Sequence, residues 1–216
     1  MSYTSLILKI LDGAGASFLI FFTTLLFSLP LGILIMFARM SKVKPLSAVT
    51  RFIISILRGT PLMLQLIVWF FGPYYIFGLK LNYSWRIVSI ILGFSINYAA
   101  YFAEIYRSGL ISIPISQYEA ATVLGYTKSQ TFIKIIFPQM VKRVLPAVTN
   151  EIITLIKDTS LAFVVAYAEM FTIAKQVAAK ETTIVPLFIA GLFYYIFNYI
   201  VAFAMERIEK AFDYYR

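Results

Sequence analysis

The sequence predicts an all-α integral membrane protein with about five transmembrane helices. Of its 216 residues, 61% are hydrophobic and only 13% are charged, whereas a soluble domain carries about 25% charged residues. The apolar residues gather in runs near the roughly twenty residues that a helix needs to cross hydrocarbon. Lys and Arg collect in alternate connections between those runs, as the positive-inside pattern requires. The net charge of +9 therefore reports cytoplasmic loops rather than nucleic-acid binding.

In chain order, residues 3–11 (Tyr3, Leu6, Ile7, Ile10 and Leu11 around Lys9) predict a short amphipathic interfacial helix. The expected spans cover approximately residues 16–38, 61–78, 87–105, 145–167 and 184–205. The fourth is interrupted by polar residues. Arg39, Lys42, Lys44, Arg51 and Arg58 lie in the first connection. Arg107, Lys128, Lys134, Lys142 and Arg143 lie in the third, and Arg207, Lys210 and Arg216 follow the last span. The opposite side holds Lys9, Lys80, Arg86, Lys175 and Lys180. The N-terminus is thus expected outside and the C-terminus in the cytoplasm. Tyr74, Tyr75, Tyr83 and Trp85 suit an outer aromatic belt. The first residues lack the basic region and cleavage site of a signal peptide, so no cleaved leader is expected.

The long third connection, about residues 107–144, carries the most specific pattern. Ser116 stands three residues before Glu119, which predicts a capping box after Pro114. Gly125 suits a left-handed helix stop. Thr127 and Gln130 form a second box, and Pro138 is expected to stop the helix it starts. The result is a short helix, a glycine turn and another short helix. Ala120 and Ala121 give the first a small-residue face open to close approach. On these grounds alone it could equally lie on the membrane surface.

Glu119-Ala120-Ala121, Gly125, Ile135 and Pro138 resemble the EAA motif of ABC-importer permeases. Phe137 departs from that motif, which usually has Leu before the proline. The stretches Arg58-Gly59-Thr60-Pro61-Leu62, residues 100–109 and residues 155–161 resemble the polar amino-acid uptake branch, which serves histidine, arginine, lysine, glutamine, glutamate and opines. The resemblance spans roughly residues 15–210. It implies a type I importer-like core forming a single permease domain over residues 1–216, in the bacterial cytoplasmic membrane. It further implies that the EAA segment is a coupling helix that docks on a cytoplasmic ATPase. Glu119 would serve as cap and polar contact, Ala120 and Ala121 as packing face, and Gly125 as turn. The implied partners are that ATPase, a second permease copy or paralogue, and an extracytoplasmic amino-acid-binding protein. No cofactor is expected in this chain, with ATP and Mg on the partner ATPase.

Polar side chains inside the spans are the candidates for a substrate path. At about 100° per residue, Asn150, Glu151, Thr154, Lys157 and Asp158 fall within an arc of about 120° on the fourth span. Such residues usually face a bundle interior or wet cavity. The same stripe also suits a structural ion-pair network involving Glu104, or a position at the cytoplasmic interface. Lys157 would pair with another helix or with a substrate carboxylate. Asn97 and Glu104 share a face of the third span, and Gln65 is the strongly polar residue of the second. Each suits either a helix–helix hydrogen bond or a ligand contact. Glu169 and Lys175, beyond the fourth span, could touch an extracellular partner.

The chain has no histidine and no cysteine, which removes the commonest bases, nucleophiles and metal ligands, and no metal site is expected. No Gly-x-x-x-x-Gly-Lys-Ser/Thr loop occurs. The chain is therefore expected to be non-catalytic, and the resemblance implies a transport subunit that moves polar amino acids, basic ones among them, by alternating access. The competing readings are a stand-alone proton-coupled secondary transporter and a membrane scaffold.

Overall fold

The computed structural model describes residues 3–212, so Arg216 lies outside the described residues. Those residues form ten α-helices. They are α1 (Tyr3–Asp12), α2 (Ala14–Arg39), α3 (Lys44–Gly59), α4 (Leu62–Phe77), α5 (Tyr83–Ile111), α6 (Ile115–Val123), α7 (Lys128–Thr131), α8 (Phe137–Asp158), α9 (Met170–Glu181) and α10 (Val185–Ala211). A π-helical turn, Phe132–Ile136, joins α7 to α8, and a 3₁₀ turn, Thr159–Val165, leads from α8 towards α9.

Three helical stretches are long and apolar enough to cross a membrane unbroken, namely Thr4–Arg39, Tyr83–Ile111 and Val185–Ala211. Two bent pairs raise the number to as many as five if each pair is one span. Lys44–Gly59 meets Leu62–Phe77 at 108°, and Lys128–Val165 meets Met170–Glu181 at 58°. The expected second span is α4, joined to α3 at the sharp bend before it, and the expected fourth is a broken element; α3 and α9 were not expected. Both are short and amphipathic, which hid them among the connecting charges. Broken helices are tolerated at membrane depth when the freed backbone groups find partners, and such partners are present at both breaks.

The centre of the bundle is α5, with Phe94, Ala99, Ala100, Phe102 and Ala103 at 0% exposure. Asn82 starts it by accepting from Trp85 N at 2.7 Å. The helix packs closely on α2 along a small-residue face. A Cβ at Gly32 would come within 2.8 Å of Phe102 Cβ, a contact that only glycine permits. Met36, Leu155 and Ile156 complete this core. A smaller core gathers Leu6 and Ile10 of α1 with Met170, Ala174 and Val177 of α9 and Ala190 of α10. The interfacial helix expected at residues 3–11 is α1, with Leu6 and Ile10 inward and Ile7, Leu8 and Leu11 outward.

Some expectations need correction. Pro138 does not end a helix but sits in the first turn of α8, where a missing N–H costs least. The wider π turn before it absorbs the mismatch. Pro61 is the N-cap of α4. Of the expected aromatic belt, Tyr74, Tyr75 and Tyr83 are exposed, but Trp85 is half-buried and donates Nε1–H to Phe70 O at 3.0 Å.

Candidate functional site

The helix α6 projects from the end of the bundle where the cationic connections lie. It starts after Pro114 with no side-chain cap. The predicted Ser116–Glu119 box is absent because Ser116 already lies inside the first turn. The closure is as expected. Gly125, at φ +78°, is left-handed, with Tyr126 N donating to Ala121 O at 3.0 Å and Gly125 N to Thr122 O at 3.0 Å. These two bonds define a Schellman turn. The Thr127–Gln130 box then opens α7, with Thr127 N donating to Gln130 Oε1 at 2.9 Å and Gln130 N to Thr127 Oγ1 at 3.3 Å.

The faces of α6 differ from expectation. Ala121 is 1% exposed, so it packs inward against its own chain. The outward set is Glu119, Ala120, Val123 and Leu124, with the last two 87% and 72% exposed. Two bare apolar side chains at the tip of a projecting helix are the part of this surface that the motif did not reveal.

The stripe on α8 divides as its helical phase requires. Val148, Ile152, Leu155 and Ile156 are buried in the core. Asn150 and Lys157 are exposed, while Glu151, Thr154 and Asp158 are half-buried. The polar arc therefore faces away from this chain's own core. Asp158 ends α8 at the change to 3₁₀ winding, and one of its oxygens accepts from Tyr98 OH at 2.7 Å. Tyr98 itself is held by ring stacking on Phe94, at 6.5 Å between centroids. Arg58 approaches the same region with its guanidinium 5.1 Å from the Tyr101 ring centre.

The structure does not gather all the candidate residues with this arc. Glu104 joins Arg39, at 3.3 Å, and Arg107, at 2.7 Å, and so ties α2 to α5. Gln65 and Asn97 act together at the α3–α4 break. Gln65 Nε2 donates to Leu57 O at 2.8 Å, and Asn97 Nδ2 donates to Leu57 O and to Gln65 Oε1, each at 3.0 Å. Leu57 O is one of the carbonyls that the end of α3 leaves unpaired. Both amides thus supply what the bend needs.

Glu169 overturns its expectation. It is 0% exposed and cannot meet a partner. It caps α9, accepting from Phe171 N at 2.7 Å, Thr172 N at 2.6 Å and Thr172 Oγ1 at 2.7 Å. Tyr194 OH of α10 also donates to it, at 2.9 Å, and Ser17 Oγ of α2 lies 3.5 Å away. A Cβ at Gly13 would fall 2.7 Å from Met170 N, so the α1–α2 corner presses directly on this junction. A lone acid amid apolar residues was the available signal, but its partners lie 25 and 152 positions away.

Residues 28–214 match the family described as the binding-protein-dependent transport system inner membrane component. The chain belongs to this family. The arginine transport system permease protein of Bacillus subtilis (strain 168) is 33% identical over 202 residues, covering 93% of this chain and 91% of that protein. The L-cystine transport system permease protein of the same organism is 35% identical over 192 residues, covering 88% and 80%. The crystal structure of an amino acid ABC transporter with histidines superposes with a TM-score of 0.87 at 26% identity, covering 98% and 99% of the two chains. The chain is therefore a transport permease of the type I importer kind, and a membrane subunit rather than an enzyme. Family membership favours the subunit reading over a stand-alone transporter.

Proposed function

We propose that this permease is the membrane subunit of an ATP-driven importer for polar amino acids, and that two copies, or one copy and a paralogue, enclose the path. The observation that carries this reading is the polar arc of α8. It lies on the face that this chain's core does not cover, and charges at depth require a lined cavity. A facing bundle would close Asn150, Glu151, Thr154, Lys157 and Asp158 into such a cavity. A zwitterionic amino acid needs a cation for its carboxylate and an acid for its ammonium. Lys157 suits the first, and Asp158 and Glu151 suit the second. Glu104 is engaged by Arg39 and Arg107, which leaves Asp158 and Glu151 as the acidic groups for an ammonium and for a basic side chain. The relatives' names, arginine and cystine permeases, fall within the same class. Gln65 and Asn97 are assigned to holding the broken helix beside the path.

In this reading α6 meets the cytoplasmic ATPase, which holds ATP and Mg. Glu119 and Ala120 contact it with Val123 and Leu124, and Gly125 sets the exit angle. An extracytoplasmic binding protein delivers the amino acid, with the N-terminus outside and the C-terminus in the cytoplasm. Nucleotide-driven closure of the ATPase pair then rocks the bundles between inward-open and outward-open states. The test is co-purification on a C-terminal tag. Wild type is expected to retain the ATPase and Glu119→Lys to lose it. Failure to recover the ATPase with wild type would sink the assignment.

A further inference from the structure

The end of the bundle that carries the cationic connections holds an open cavity of about 480 Å³, bordered by Arg58, Glu104, Arg107, Ser112, Arg143 and Ala147. That is within the roughly 300–1,000 Å³ of small-molecule sites. The border brings three guanidinium groups and one carboxylate together. The carboxylate is already engaged, since Glu104 is shared by Arg107 and by Arg39 outside the cavity. Arg143 is held by a neutral partner, with Nη1 donating to Ser112 O at 2.5 Å and to Ser112 Oγ at 3.1 Å. Arg58 is held over the Tyr101 ring. Among the described residues, neither of these two arginines meets a carboxylate at ion-pair distance. The floor is tight, because a Cβ at Gly109 would fall 2.1 Å from Val144 Cγ1, so α5 and α8 touch there. The cavity also adjoins α8 just ahead of the polar arc. Ala147 borders it and stands about one helical turn before Asn150 and Glu151 on the same face of α8.

We propose that this cavity is an exit-side binding site for the carboxylate of the transported amino acid, with Arg58 and Arg143 as its ligands. This rests on reading the α8 arc as the path. The arc carries both signs of charge and can hold a whole zwitterion. The cavity offers surplus cations, so it retains only the carboxylate end. It is open to the surface, which keeps each contact weak, and a site on a transport path must release its occupant. Amino acid accumulating in the cytoplasm would occupy it from that side and slow further import.

The test uses the complete importer complex in proteoliposomes with ATP inside, so that the lumen stands for the cytoplasm. The proteinogenic amino acids and cystine are screened singly as radiolabelled substrates. The one taken up is then loaded unlabelled into the lumen. The readout is the ratio of uptake rates in loaded and empty vesicles, taken within each variant. Luminal amino acid is expected to slow uptake, and its decarboxylated amine is not. In Arg58→Gln/Arg143→Gln the luminal concentration needed is expected to rise about tenfold. The Arg58→Lys/Arg143→Lys pair is expected to recover part of that. Equal inhibition by the amine, an unaltered ratio in the Gln pair, or equal inhibition by luminal phosphate would overturn the proposal while leaving the transport reading intact. Uptake of no amino acid by wild type would sink both.

Discussion

Two carboxylates in this permease sit near helix breaks and have opposite surroundings. Glu169 is fully buried and accepts four hydrogen bonds from α9 and α10, with the Ser17 hydroxyl of α2 3.5 Å away. Asp158 is half-buried and accepts one side-chain hydrogen bond, from Tyr98. A buried charge is tolerated only when its oxygens are satisfied, and Glu169 meets that condition within the chain. Asp158 retains accepting capacity on a face that the chain leaves open. Complete internal satisfaction marks a structural joint, and incomplete satisfaction beside an open face marks a place for something else to bind.

The sharpest way to break this comparison is Glu169→Ala. It strands the hydroxyls of Tyr194 and Thr172 and two backbone N–H groups at once. A loss of about 3–5 kcal/mol is expected, read as a lower melting temperature and poor yield of folded protein. Stability within 1 kcal/mol of wild type, as a threshold set by a single net hydrogen bond of about that size, would remove the structural reading of Glu169. The second variant, Asp158→Asn, keeps an oxygen for Tyr98 and removes the charge. Stability is expected to change by no more than about 1 kcal/mol, while uptake falls about tenfold or more through loss of a charge-assisted contact. Unchanged uptake kinetics would make the α8 arc structural as well.

Gly125→Val tests a demand made by backbone conformation without side-chain contact. No atom lies within 4 Å of the Cβ it would add, so only the positive φ resists it. The strain is about 1–2 kcal/mol, local to the α6 tip. ATP-coupled uptake is expected to fall while membrane insertion and yield are retained, and Gly125→Asn, which tolerates that conformation, should recover part of it. Full uptake by the Val variant would remove α6 from the coupling role. The smallest effect is expected from Thr127→Ala, which opens the box at the start of α7 and costs about 1 kcal/mol. Thermal melts of the purified chain check it.

Much of this was legible before any coordinates. The glycine turn, the Thr127–Gln130 box and the division of α8 follow from local rules of spacing, because helix phase and cap chemistry act over a few residues. The Ser116 box failed because Pro114, not Ser116, is the N-cap, so α6 starts two residues earlier than that pattern assumes. Val123 and Leu124 were passed over because exposed apolar residues in a membrane chain are too common to signal anything alone. Glu104, Gln65 and Asn97 were correctly seen as polar residues inside spans, but their partners are set by which helices meet. For Glu104 those partners are Arg39 and Arg107, and for the two amides it is the backbone of the α3–α4 break.

The sequence by itself determined the membrane class, the order of the spans, the family and the local shape of the α6 turn. All of these depend on composition or on contacts a few residues apart. The tertiary structure alone decided that sharp bends join α3 to α4 and the α8 stretch to α9, that Glu169 is a sealed joint and that Ala121 faces inward. It alone also set Arg58 and Arg143 on one cavity, neither at ion-pair distance from a carboxylate among the described residues. Each of these depends on groups brought together from distant parts of the chain, and the energy of satisfying or stranding a polar group in a low-dielectric interior belongs to the whole arrangement rather than to any one segment.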